Sequence, residues 1–389
     1  MITIKTAEDA LKTVYLGVIG DQLNLHSNPL LSKIKHTSNG VYGNEIVKTV
    51  SYGISGGVTA SPEADELPGS YGKNYVQFKS TLKNLYGTIE ISDKALRCSQ
   101  NSAGAFVNLL NDEMESLIKS SNFNLGRMLY GDGSGILGTF AGTNEIGSSE
   151  LVIDSLKFLA PNMAFRVVLS NGNAYGAFDP MVIKHMDRTT NTIYIDRYAD
   201  KDFNGYKLAT LRGLNSEITG LGSIFNSTYL YGLKRENHKW LNPYTKTGVG
   251  ELSEVAIQGA IDEVEFASGE PIDFISCSAG VRRAYQECLS SMRRNVDVLN
   301  LDGGFRALSY NGIPLVVDRF VNDDEMLLLN TKEFEICQLG DWQWLEGNDG
   351  KIIKQKDNYP VYTATLVKYA ELFCNRPNSI AKLSGITVA

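Results

Sequence analysis

The residues Gly133-Ser134-Gly135-Ile136-Leu137-Gly138 fit the G-x-G-x-x-G spacing that cradles a dinucleotide pyrophosphate. That chemistry needs the glycines after a strand and at the head of a helix, where backbone amides and the positive helix end face the phosphates. Here they follow a long helical pattern, so the wrong dipole end would face any anion, and the segment reads as a helix stop and turn. His26, His36, His185 and His238 are scattered, none three or four residues from another, and give no metal-ligand spacing. Asn322-Asp323-Asp324-Glu325 is acidic but lacks the spaced ligands and glycine of a calcium loop. It is expected to be a solvated turn between two strands. Arg282-Arg283 and Arg293-Arg294 lie along one helical stretch, facing nucleic acid, a carboxylate on a neighbour or water, with the last two weighing most. The five cysteines, Cys98, Cys277, Cys288, Cys337 and Cys374, are far apart and odd in number; they read as reduced and mostly buried. No Gly-x-Ser-x-Gly elbow and no phosphate loop ending in Gly-Lys-Ser/Thr is present. These residues predict no enzyme, no cofactor and no metal.

The elements that would hold any site are more informative. Of 389 residues, 37 are Lys or Arg and 44 Asp or Glu, a formal net charge of −7, the opposite of a chain that lives by phosphate contacts. No run of apolar residues is long enough to span a membrane, and Glu8 and Asp9 interrupt anything like a secretory signal. Residues 6–24 read as a helix capped by Thr6, with Ala10, Val14 and Val18 on one face. The pattern then dissolves into an arm up to about residue 43.

Ile46 to Tyr52 and Tyr75 to Ile91 alternate as strands do, around a tip rich in glycine and proline: Gly53, Gly56, Gly57, Pro62, Pro68, Gly69 and Gly72. An isolated hairpin is marginal in water, so this one must pack on something else, which in a self-assembling protein is the neighbouring subunit. Ser102 to Tyr130 is the longest helical signal, with Leu117, Leu125 and Met128 on its apolar face, and it ends at Gly131-Asp132-Gly133. Residues 150–235 read as a β-rich module. Residues 253–330 mix types: a helix Ser253–Ala267 expected to bury Val255, Ile257, Ile261 and Val264, a short strand, a helix Ser278–Arg294 burying Val281, Tyr285 and Leu289, then strands. This predicts an α+β layer, after which residues 332–389 return to strands.

The order of these features, with three short motifs, resembles the tailed-bacteriophage major capsid proteins of the HK97 fold. Tyr130-Gly131-Asp132-Gly133-Ser134-Gly135 is similar to that family's helix-end glycine string. Gly312-Ile313-Pro314-Leu315-Val316-Val317 is similar to its G-(I/L)-P-V-V strand. Asp357-Asn358-Tyr359 followed by Arg376-Pro377 is similar to its closing stretch. The resemblance implies an N-arm (1–44), an extended β-hairpin loop (45–92) and a peripheral domain with a long spine helix (93–149). It implies an axial domain (245–335) and a return segment (336–389), with residues 150–244 a β-rich insertion on the peripheral domain.

The resemblance further implies a structural protein that assembles through pentamers and hexamers into an icosahedral shell around double-stranded DNA, without sequence-specific DNA contact. A separate scaffolding protein, a portal and decoration proteins are the implied partners. The virion is the implied location, after assembly in the host cytoplasm. The family's covalent cross-link uses a loop lysine with an asparagine and a glutamate. Lys48, Lys73, Lys79 and Lys83 are available, but Tyr362 and Tyr369 stand at the partner positions, so no cross-link is expected. Lys48, Tyr52, Phe78 and Lys79 are the candidate intersubunit contacts. An encapsulin-type nanocompartment shell is the alternative in fold, and a nucleotide-binding enzyme using Gly133 to Gly138 the alternative in class.

Overall fold

The computed structural model describes the chain except for residues 1–27, 64–68, 95–102, 143, 170–171, 176–179, 292–297, 301–305, 348–349 and 389. The expected helix 6–24, His26, Cys98 and Arg293-Arg294 therefore lie outside the described residues. Four α-helices are named here: α1 (Ala103–Tyr130), α2 (Leu221–Asn226), α3 (Glu254–Ser268) and α4 (Ala279–Ser291). α1 is 28 residues and hence roughly 40 Å long. It stops where the Gly131 N–H closes onto Arg127 O at 3.0 Å. Gly133 and Gly135 then take φ of 79° and 74°, a region glycine enters without strain, and the chain runs on into the strand Ile136–Thr139.

The strand Val361–Cys374 organises one six-stranded sheet. Lys83–Ser92 pairs antiparallel along it, as does Phe334–Gln338, and Lys35–Thr37 adds parallel to Phe334–Gln338. A seven-stranded sheet runs in the order Tyr244–Lys246, Ala381–Leu383, Met326–Leu329, Phe274–Cys277, Ile313–Val317, Arg306–Tyr310, Val298–Asn300. Alternation splits its side chains between two cores. Ile275, Cys277, Leu328 and Leu383 meet Ile257, Ile261 and Val264 of α3 and Val281, Tyr285 and Leu289 of α4. Phe274, Val316, Leu327 and Leu329 instead join the core that holds Leu129 and Tyr130 of α1.

Ser253 caps α3, its hydroxyl accepting the Ala256 N–H at 3.2 Å, and Gly269 ends it at φ 72°. Val255, expected inside, is 81% exposed. Two residues from Ile257 is about 200° around a helix, so both cannot face the sheet.

Six strands form a separate antiparallel layer in the order Ile136–Thr139, Lys207–Thr210, Ala164–Val168, Met181–Asp187, Thr192–Ile195, Glu150–Val152. A bridge between Phe140 and Ile153, with Ala141 N–H to Val152 O at 3.0 Å and Asp154 N–H to Thr139 O at 2.9 Å, joins the last strand to the first. The layer is thus a small closed barrel around Leu137, Phe140, Leu151, Phe165, Ile183 and Phe203. It begins at residue 136 rather than 150 and ends at 210 rather than 235, because Ile136–Thr139 pairs with Lys207–Thr210. A buried bidentate pair pins it to α1: Arg127 donates to both Glu217 carboxylate oxygens at 2.7 and 2.6 Å, and the Thr210 hydroxyl donates to the same carboxylate at 3.0 Å.

The 45–92 segment is not one hairpin. Glu45–Tyr52 pairs with Asn74–Thr81, but at the buried Leu82 the chain leaves, and Lys83–Ser92 joins the sheet built on Val361–Cys374.

Candidate assembly surface

The hairpin Glu45–Tyr52/Asn74–Thr81 rises from an aromatic socket. A two-residue turn, Tyr231-Gly232, links the strands Tyr229–Leu230 and Leu233–Lys234. Tyr231 has φ 47°, a left-handed conformation that costs a bulky residue energy unless its surroundings fix it. Here three bonds fix it. Its carbonyl accepts the Lys79 N–H at 2.9 Å, and its hydroxyl accepts the Cys374 N–H at 2.9 Å and donates to Leu372 O at 3.3 Å. Burial holds the phenol well above its usual range. Its ring stacks on Phe373 at 4.2 Å, and Phe78 sits against both, 5.6 and 5.9 Å away, with Trp240 at 6.2 Å.

The four candidate contacts divide accordingly. Phe78 is fully buried within its own chain, which corrects the expectation of an apolar contact with a neighbour: the socket leaves it no surface to share. Lys48 is turned inward too, with its ammonium on the Glu335 carboxylate, 3.3 Å from Asn375 Oδ1 and 4.8 Å from the Phe373 ring centre. That ion pair holds the Glu335 carboxyl below its usual range against the opposing effect of burial. Tyr52 stacks on Trp240 at 4.7 Å and is half-buried. Lys79 alone of the four is exposed. The apolar surface lies further out: Ile54, Val58, Tyr71 and Tyr75 are 87%, 88%, 68% and 69% exposed. Near the tip the Gly56 N–H and the Ser55 hydroxyl both donate to Tyr71 O, at 3.2 and 3.0 Å, so part of the tip has its own order.

Beneath the socket, Glu371 is fully buried. It accepts the Thr219 N–H at 2.5 Å, the Leu372 N–H at 3.0 Å and the Ser80 hydroxyl at 3.4 Å. Burial outweighs these bonds and the nearby Lys83, and pushes its carboxyl up to about 7. Neither Glu371 nor Tyr231 carried a chemical motif. The one local signal is Gly232 before Leu233, a glycine of the kind that favours turns.

The other candidates resolve as scaffold. The Gly133–Gly138 string joins a helix end to a strand, the reverse of a dinucleotide site. The acidic turn 322–325 links two strands with Asn322, Asp323 and Asp324 exposed, as expected, and it also serves as a junction. Asp324 accepts the Gly385 N–H at 3.0 Å, Glu325 lies 3.7 Å from Lys382, and Lys157 of the barrel segment donates to Asn322. Cys277, Cys337 and Cys374 are buried free thiols and Cys288 is partly buried, with burial pushing Cys277 up to about 12. Among the described residues no three His, Cys, Asp or Glu side chains converge to hold a metal, and no helix is long and apolar enough to cross a membrane.

No family model and no curated protein matches the sequence. Solved structures do. The capsid asymmetric unit of cyanophage A-1(L) superposes with a TM-score of 0.54 at 11% identity, covering 93% of this chain and 93% of that one. An encapsulin complex from Synechococcus elongatus PCC 7942 gives 0.47 at 10% identity, covering 93% and 89%, and the capsid of Myoviridae phage XM1 gives 0.44 at 9%, covering 93% and 92%. The chain has an α+β fold of the phage-capsid class. The ordered sequence motifs point to the same fold class.

Proposed function

We propose that this chain is the major capsid protein of a tailed phage, a non-enzymatic subunit that assembles through pentamers and hexamers into an icosahedral shell enclosing double-stranded DNA. The observation that carries the reading is the superposition on the cyanophage capsid across 93% of both chains. The exposed apolar residues at the end of a hairpin whose base is locked into its own subunit agree with it. In this reading residues 1–44 are the N-arm, the hairpin is the extended loop, and α1 is the spine of the peripheral domain. The seven-stranded sheet with α3 and α4 is the axial domain, and the barrel is an insertion.

Intersubunit contact falls to Lys79, Tyr52 and the outer loop residues rather than to Phe78 and Lys48. No covalent cross-link forms, because tyrosines stand at 362 and 369. A separate scaffolding protein, a portal and decoration proteins complete the particle, which is built in the host cytoplasm and holds DNA without reading its sequence.

The test is particle mass by light scattering and negative-stain imaging, with and without residues 54–72. Megadalton shells, or rings of five or six, that fail on deletion support the reading. A monomer at every concentration and salt, unchanged by deletion, overturns it. A shell purified from its native source holding protein cargo and no DNA would move the assignment to an encapsulin-type compartment.

A further inference from the structure

The outer side of α3 carries two of the most exposed apolar side chains in the described chain, Val255 at 81% and Phe266 at 92%. Eleven residues is close to three whole turns, so the two share one stripe, with Gly259 and Asp262 between them. Nothing lies within 4 Å of the Cβ that Gly259 lacks, so another element can approach the helix backbone there. Single exposed apolar residues are ordinary, but two on the unpacked stripe of one helix with a glycine in the seam form a ridge for docking. The same helix bears Glu254, Asp262, Glu263 and Glu265 and no Lys or Arg. Two copies of this ridge repel each other, whereas a basic surface is attracted.

The chain carries such a surface itself. α4 presents Arg282 and Arg283 at exposed positions, with Glu287 the one exposed acid. α3 lies against Tyr244–Lys246 and Ala381–Leu383, at one edge of the seven-stranded sheet, while α4 lies against Ile313–Val317, toward the other edge. The acidic apolar ridge and the basic flank therefore lie toward opposite edges of the same face of one sheet. Resting on the shell reading above, we propose that α3 of one subunit docks on the α4 flank of the next. This is a head-to-tail contact, the kind that generates closed rings when its rotation closes. Repulsion between acidic ridges disfavours the two-fold alternative.

The experiment is charge exchange in the full-length chain, read as the fraction of protein in rings or shells by analytical ultracentrifugation at physiological salt. Asp262→Lys/Glu263→Lys/Glu265→Lys and, separately, Arg282→Glu/Arg283→Glu should each cut the assembled fraction about tenfold or more. Both sets combined in one chain should restore it. Phe266→Ser, at an open surface position, should lower assembly without moving the far-ultraviolet circular dichroism or the melting temperature of the monomer. Wild-type shells with variants that assemble as well as wild type, or a combined variant no better than either set alone, would overturn the contact and leave the shell reading standing. A wild-type chain that stays monomeric would sink the shell reading and this contact with it.

Discussion

The base and the tip of the hairpin Glu45–Tyr52/Asn74–Thr81 are extensions of one element, yet they meet opposite surroundings. At the base, Ile46 and Phe78 are fully buried; beyond the paired strands, Ile54 and Val58 are almost fully exposed. Backbone pairing holds the strands together from Glu45–Thr81 to Tyr52–Asn74, so the difference lies in what stands beneath them. Under the base the chain has placed Tyr231, Trp240 and Phe373. Alternation specifies that a strand has an apolar face. It does not specify whether the same chain or another copy covers it.

The largest effect is expected where the chain covers itself. Phe78→Ala empties the socket and should cost about 3–5 kcal/mol, read by urea denaturation, with early proteolysis in the hairpin. A loss under about 1 kcal/mol would mean that the base is held by strand pairing alone.

A control at the junction of α1 with the barrel sharpens this. Arg127→Ala leaves the buried Glu217 carboxylate without its cation and with only the Thr210 hydroxyl as a side-chain donor, which costs about 3 kcal/mol or more. It should loosen the barrel from α1 and leave hydrogen-exchange protection of the hairpin base at its wild-type level. Equal loss of protection in the hairpin would show that base and barrel are one cooperative unit.

The third effect depends on pH. Burial raises the Glu371 carboxyl from its ordinary 4.5 to about 7. Between those values the folded chain keeps a proton that the unfolded chain has released. This group's contribution is therefore fully present below the unfolded value and is lost as pH rises through about 7. At about 1.4 kcal/mol per unit, wild type should lose up to roughly 3 kcal/mol of stability from this group between pH 4.5 and 8. Glu371→Gln should lose none of that part and be the more stable protein at pH 8. Parallel pH profiles for the two would show that the Thr219 and Leu372 amides and Lys83 keep the carboxylate ionised.

What the sequence disclosed follows the same division between local and distant causes. The ends of α1 and α3 fall within one residue of the positions that periodicity and caps suggest, because capping and glycine stops act within a turn. The β-rich character of the barrel region is legible for a similar reason. The departure of the chain at Leu82 is not. Alternation continues unbroken from Tyr75 to Ile91, and only Val361–Cys374, some 280 residues away, draws the second half into another sheet. The sequence alone turns Lys48 and Phe78 outward for want of Glu335, Phe373 and Tyr231, which the fold brings beneath them. The exposed ridge of α3 was hidden in the opposite way, since Val255 passes for a core residue until the register of the helix is fixed.

The smallest effect on the isolated subunit is expected at the tip, and there the comparison meets its strictest test. Ile54→Ser/Val58→Ser removes apolar surface that touches water in the single chain, so monomer stability should stay within about 0.5 kcal/mol of wild type. If neighbouring copies cover this surface, the same two changes remove a large part of what each tip contributes to every contact of the shell. Repetition multiplies that loss across the particle. The assembled fraction should then fall sharply at fixed protein concentration and recover when the concentration is raised. A variant less stable as a monomer would place these side chains against their own chain, as at the base. A variant unchanged in both stability and assembly would leave the tip without a covering partner and move the burden of contact to α3 and α4.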